Sequence, residues 1–87
     1  MGFRWAHFRT ARTTKGAYLT PQAGHPGFPD AVLVRPPRVL FVEFKSVTGR
    51  IEPEQALWLD ALRRSEVEVY IWLPAHWRSG EIEEVLR

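Results

Sequence analysis

The sequence predicts a mixed α/β fold, and three stretches carry that reading. Ala31 to Val34 and Val39 to Lys45 are β-branched and aromatic runs on either side of Arg35-Pro36-Pro37-Arg38. Gln55, Trp58, Leu59 and Leu62 recur at helical spacing, and Val67, Val69, Ile71 and Leu73 then alternate with Glu66, Glu68, Tyr70 and Trp72. Strand, helix and strand within residues 39–73 make a compact βαβ unit, whose two strands run parallel with a right-handed crossover. Eighty-seven residues suit one domain, 1–87.

The elements follow in order. Gly2 to Phe8 is short and aromatic, a first strand that makes the mixed sheet one of three to four strands. Thr10 to Pro29 is rich in Thr, Gly and Pro with no period, which predicts a long loop, and loops of that length in small domains are usually functional or disordered. The next two runs are antiparallel strands, joined by a connection somewhat wider than two residues because Pro-Pro cannot supply the positive φ angles of the commonest tight hairpins. Pro53 fits a first helical position behind Glu52, a mediocre N-cap, and the helix runs to about Arg64. Pro74 ends the last strand. Ser79-Gly80 then precedes a short closing helix over 81–87, which needs docking to be stable.

Composition excludes several classes. There is no cysteine, hence no disulfide or cysteine-zinc framework, no apolar run near the roughly 18 residues of a membrane span, and no signal-peptide pattern. A soluble, cytoplasmic domain is expected. Folding at this size buries only about 60% of the unfolded chain's surface, and four Trp with five Phe point to self-association. The net charge of +2 hides two unlike halves: residues 1–50 hold eight Lys/Arg and two acids, residues 51–87 four Lys/Arg and eight acids. Arg4, Arg9, Arg12 and Lys15, interleaved with Trp5, His7, Phe8 and Tyr18, compose either a phosphate-facing surface or a solvated basic arm.

The only two acids of the basic half are Asp30 and Glu43. In a hairpin centred between Pro36 and Pro37, facing residues have numbers that sum to 73, and Asp30 and Glu43 satisfy that sum. Facing residues share a sheet face with Cβ atoms roughly 4.5–5.5 Å apart, where two carboxylates repel. Lys45 points to the same face by period-two alternation. The strand is apolar on both faces until these charges, so it is a covered central strand whose acids must be paired, neutralised or bound to a cation. Two hard oxygen ligands with room for water and phosphate suit Mg²⁺ or Mn²⁺, and a lysine beside such an ion can orient a hydrolytic water. The bland reading is a coincidental Glu-x-Lys with Asp30 as a turn residue. Gln55 heads the helix's apolar stripe, where an amide is misplaced unless it reaches a polar group.

Gly27-Phe28-Pro29-Asp30, Phe41-Val42-Glu43-Phe44-Lys45, Gly49, Gln55 and Trp58-Leu59 together resemble the VRR-NUC branch of the PD-(D/E)XK nuclease superfamily, a likeness that extends to Pro74-Ala75-His76-Trp77. The resemblance implies a restriction-endonuclease-like core and a metal-dependent DNA endonuclease. Asp30, Glu43 and the Phe44 backbone carbonyl would hold the metal, Lys45 would be the catalytic lysine, and Gln55 the glutamine of this branch. It further implies 5′-phosphate and 3′-hydroxyl products, and likens the chain to homodimeric Holliday-junction resolvases acting in DNA repair or recombination on branched DNA. Such domains commonly begin with a helix bearing a further glutamate; no acid precedes Asp30, so a second subunit or water is expected in that place, or weakened activity, or a shortened gene product. The rival reading is a non-catalytic nucleic-acid-binding module.

His7, His25 and His76 have no zinc-like spacing, and His25, in the glycine-rich loop, is the one expected near substrate. Trp58, Tyr70, Trp72 and Trp77 are expected in the core or a dimer interface.

Overall fold

A computed structural model describes residues 2–8, 11–12, 18–19 and 24–87. The strands are β1 (Arg4–His7), β2 (Ala11–Arg12), β3 (Tyr18–Leu19), β4 (Ala31–Arg35), β5 (Arg38–Phe44) and β6 (Glu68–Trp72). The helices are α1 (Pro53–Arg63), α2 (Pro74–Ser79) and α3 (Glu81–Val85). Four strands form one mixed sheet in the order β1-β4-β5-β6, with β5 and β6 parallel and the other neighbours antiparallel. The parallel pair brackets α1, as the βαβ reading requires.

The β4–β5 register is the one the sequence predicts, with Ala31 opposite Val42, Leu33 opposite Leu40 and Arg35 opposite Arg38. The predicted wider connection is wrong. Arg35 pairs directly with Arg38, leaving a two-residue turn at Pro36-Pro37 whose peptide bond is cis. Neither proline has a positive φ, so the tight turn is made without the angles from which a wider loop was expected. The reading of 10–29 as loop throughout is also corrected, because β2 and β3 pair antiparallel within it, Ala11 with Leu19 and Arg12 with Tyr18.

Alternation along β5 divides the molecule into layers. Leu40 and Val42 face α3, in a core with Ala31, Trp72 and Ile82, against which Leu33, Tyr70, Val85 and Leu86 pack. Phe41, Glu43 and Lys45 face the other way, toward α1 and the glycine-rich loop. There Phe28 sits edge-to-face on Trp58, Phe41 and Phe8, with ring centroids 4.9, 5.9 and 5.5 Å away. The strand β6 lies between α1 on one face and α3 on the other. Its Trp72 is buried and its Glu68 is paired.

The closing helix predicted over 81–87 is α3, and a further helix that the sequence reading did not place, α2, precedes it. Pro74 opens α2 at its first turn, and Gly80, at φ +84°, ends it in the left-handed conformation and turns the chain into α3. Ile82 then docks α3 into the core with 1% exposure, which stabilises a five-residue helix too short to persist alone. Among the described residues no helix is long and apolar enough to cross a membrane.

Candidate active site

Four of the predicted site residues converge. Asp30 and Glu43 lie one residue beyond the last β4–β5 ladder pair, Ala31 with Val42, on the α1 side of the sheet. The Asp30 carbonyl accepts the Phe8 N–H at 2.7 Å, tying this corner to β1. Its carboxylate Oδ2 accepts the Phe44 N–H at 2.8 Å. The acid therefore replaces a backbone rung and is held in place by the strand it faces.

Glu43 is 2% exposed, the only charged residue that is buried among the described residues. Its Oε2 accepts a hydrogen bond from Gln55 Nε2 at 2.8 Å and lies 3.3 Å from Lys45 Nζ. Its Oε1 is buried with no hydrogen-bond partner among the described residues. Burial, and next the charge of Asp30, push the Glu43 carboxyl above the ordinary carboxylate range, while Lys45 pulls the other way. An orphaned buried carboxylate oxygen is costly, and native proteins rarely leave one without a function.

Gln55 ties the cluster to α1. Its Oε1 accepts from Lys45 Nζ at 2.8 Å and from the Glu52 N–H at 2.9 Å, while its Nε2 donates to Glu43. Reversing the amide would set its NH₂ against the ammonium and its oxygen against the carboxylate, so these partners fix its orientation. Gln55 also satisfies an N–H at the start of α1, the backward half of a capping box. The sequence reading missed this second duty, although Gln three residues after the N-cap is its signature. Lys45 is held at its other end by the sheet, its N–H donating to the Trp72 carbonyl at 2.9 Å.

Gly27 sets the distance between loop and helix. A Cβ there would sit 2.6–2.8 Å from the Glu54 carbonyl and the Gln55 nitrogen, and its φ of +93° disfavours other residues. The loop therefore touches the backbone that carries Gln55. Sequence reasoning placed Gly27 only in the motif and assigned it no contact.

The donor set suits a hard divalent cation: two carboxylates, one with an unmet oxygen, beside the backbone of Phe44. Among the described residues no three His, Cys, Asp or Glu side chains cluster, so any such ion would be completed by the Phe44 carbonyl, water and substrate.

The predicted nucleic-acid contacts are more dispersed. Arg4 is exposed on β1, opposite Val34 and thus on the Asp30 side of the sheet, about four residues along the strands from it. Arg12 lies on β2, and Arg9 and Lys15 fall outside the described residues. His25 meets α1 rather than the cluster, its backbone carbonyl accepting Trp58 Nε1–H at 3.2 Å. Its side chain lines a shallow groove with Pro26, Glu54, Leu57, Trp58 and Ala61, and no hydrogen bond joins it to the acids. Of the four aromatic residues expected in a core or interface, Trp72 is buried, Trp58 and Tyr70 are half-buried, and Trp77 is 60% exposed.

Two acids, a lysine and an amide are thus gathered at the end of a covered strand. Residues 13–73 match the VRR-NUC domain, and the chain belongs to that family, within the PD-(D/E)XK nuclease superfamily. The matched span contains all four residues of the cluster. No curated protein and no solved structure matches the chain.

Proposed function

We propose that the chain is a metal-dependent DNA endonuclease with Asp30, Glu43, Lys45 and Gln55 as its working residues. The observation that carries this reading is the buried Oε1 of Glu43, unpartnered among the described residues and set beside a second acid and a lysine. Asp30, Glu43 and the Phe44 carbonyl would hold Mg²⁺ or Mn²⁺. Such an ion polarises a phosphodiester and lowers the pKa of a water.

The chain's own residues do the rest. Lys45, its side chain only 14% exposed and its ammonium held by Glu43 and Gln55, would present a localised positive charge where water or the scissile phosphate would lie. Gln55 positions it, so the ammonium need not reorganise as negative charge develops. Water adds to phosphorus, the bond to the 3′ oxygen breaks, and that oxygen takes a proton, leaving 5′-phosphate and 3′-hydroxyl ends. Exposed Arg4, with Arg9, Arg12, Lys15 and His25, would contact backbone phosphates, so binding weakens as salt rises. Branched DNA as substrate, and a homodimer as the acting form, extend the reading by analogy with resolvases of this branch.

The test incubates four-way junction, flap and linear duplex DNA with Mg²⁺ or Mn²⁺, beside Asp30→Ala and Lys45→Ala. Metal-dependent cutting that both variants lose is the expected result. Junction binding without cutting under either metal would overturn it in favour of a non-catalytic binding module.

A further inference from the structure

Lys45 leaves β5 straight into a turn, Ser46 to Gly49, closed by the Gly49 N–H donating to the Ser46 carbonyl at 3.0 Å. The turn residues are exposed, whereas the Lys45 side chain they follow is sheltered. A Cβ built on Gly49 would lie 3.3 Å from both Cβ and Cδ of Lys45 and 3.2 Å from the Ser46 nitrogen. The turn therefore folds back along the aliphatic stem of the lysine. Backbone conformation does not call for glycine there, because the φ of Gly49 is not positive. At such a position alanine ordinarily stabilises a chain by restricting its unfolded state. What glycine supplies here is room.

That room is beside a side chain that has to be held. A lysine carries its charge on a flexible four-carbon stem, so the ammonium is placed only if the stem is. Both ends of this one are fixed: the Lys45 N–H donates to the Trp72 carbonyl at 2.9 Å, and Nζ donates to Gln55 Oε1 at 2.8 Å and lies 3.3 Å from Glu43 Oε2. Of the atoms that a Cβ at position 49 would press, the Ser46 nitrogen and Lys45 Cβ are set by the backbone. Either Cδ, midway along the stem, or the turn itself must then yield by a few tenths of an ångström.

We propose that Gly49 is a positioning residue: its missing side chain lets the turn close on the Lys45 stem, and that contact sets where the ammonium sits between Glu43 and Gln55. The consequence for cutting rests on the functional reading above; the placement of the ammonium does not.

The test compares wild type with Gly49→Ala and Gly49→Val, each also in a Lys45→Ala background. In metal-free protein, the proton–nitrogen correlation of the Lys45 ammonium, and its coupling through the hydrogen bond to the Gln55 side-chain carbonyl carbon, report the placement directly. The coupling is expected in wild type, weakened in Gly49→Ala and lost in Gly49→Val, with the melting temperature of Gly49→Ala unchanged or raised. Single-turnover cutting of junction DNA is expected to fall about threefold to tenfold in Gly49→Ala and further in Gly49→Val, with DNA affinity unchanged and no additional fall where Lys45 is already alanine. An ammonium that keeps its wild-type shift and coupling in both variants overturns the inference, as does a coupling absent from wild type or a fall in cutting of equal size in the Lys45→Ala background. A wild type that does not cut under either metal overturns the functional reading instead, and the ammonium signals still decide the placement.

Discussion

The two ends of the β4–β5 hairpin use charge in opposite ways. At the turn end, Arg38 grips Glu68 through two hydrogen bonds of 2.7 Å, Tyr70 Oη donates to the same carboxylate at 2.6 Å, and Arg38 reaches the Val85 carbonyl at 3.0 Å. The Phe3 ring lies 4.4 Å from the Arg35 guanidinium and 5.4 Å from that of Arg38. Both oxygens of Glu68 are satisfied, and its carboxyl is pulled down to about 2, first by the bond from Arg38. At the open end Glu43 is more deeply buried, has one oxygen without a partner among the described residues, and is pushed up. The first carboxylate is completed by the fold and joins β5, β6 and α3. The second is left short of positive charge, the condition of a ligand awaiting its ion.

The largest expected effect breaks the open end chemically. Lys45→Ala is expected to lower cutting by about 10²–10³-fold, read as single-turnover rates on junction DNA. Gly27→Ala attacks the same end mechanically, forcing the loop off α1. The strained φ alone costs roughly 1–3 kcal/mol, and denaturant titration should show at least that, with manganese affinity falling as Gln55 shifts.

Glu68→Gln probes the turn end. Its side chain is about a third exposed, so after discounting for solvent screening the loss is about 1 kcal/mol. The folded carboxyl titrates well below its ordinary 4.5. Its contribution is therefore present above that value and is lost as pH falls from 4.5 toward 2, a slope that Glu68→Gln should flatten.

Glu43→Gln should show the opposite sign and the smallest change. The folded carboxyl holds its proton more tightly than the unfolded one, so stability falls as pH rises above 4.5, and the amide should remove that fall. In return the variant should lose the stabilisation that manganese confers on wild type at neutral pH, measured as a shift in melting temperature.

Much of this was legible in the chain. Pro36-Pro37 marks the hairpin's centre, strand alternation counts outward from it, and the two acids meet at the predicted sum even though the turn is tighter than expected. Pro53 and Gln55 locate the start of α1 for the same local reason: each acts within one helical turn. The helix α2 was missed, though its Pro-to-Gly bracket at Pro74 and Gly80 is a known signature, because six residues carry too little periodicity to stand out. No local pattern marks Glu68 as paired, because Arg38, which faces it, lies thirty positions away.

The sequence by itself therefore determined the register, which four residues gather at the end of β5, and the family, since sterics, alternation and turn chemistry operate between near neighbours. Only the tertiary structure decided which carboxylate would be satisfied. Burial and partnership depend on what packs across from a residue, and that packing gave Glu68 an arginine and a tyrosine while leaving Glu43 with an oxygen that nothing among the described residues meets.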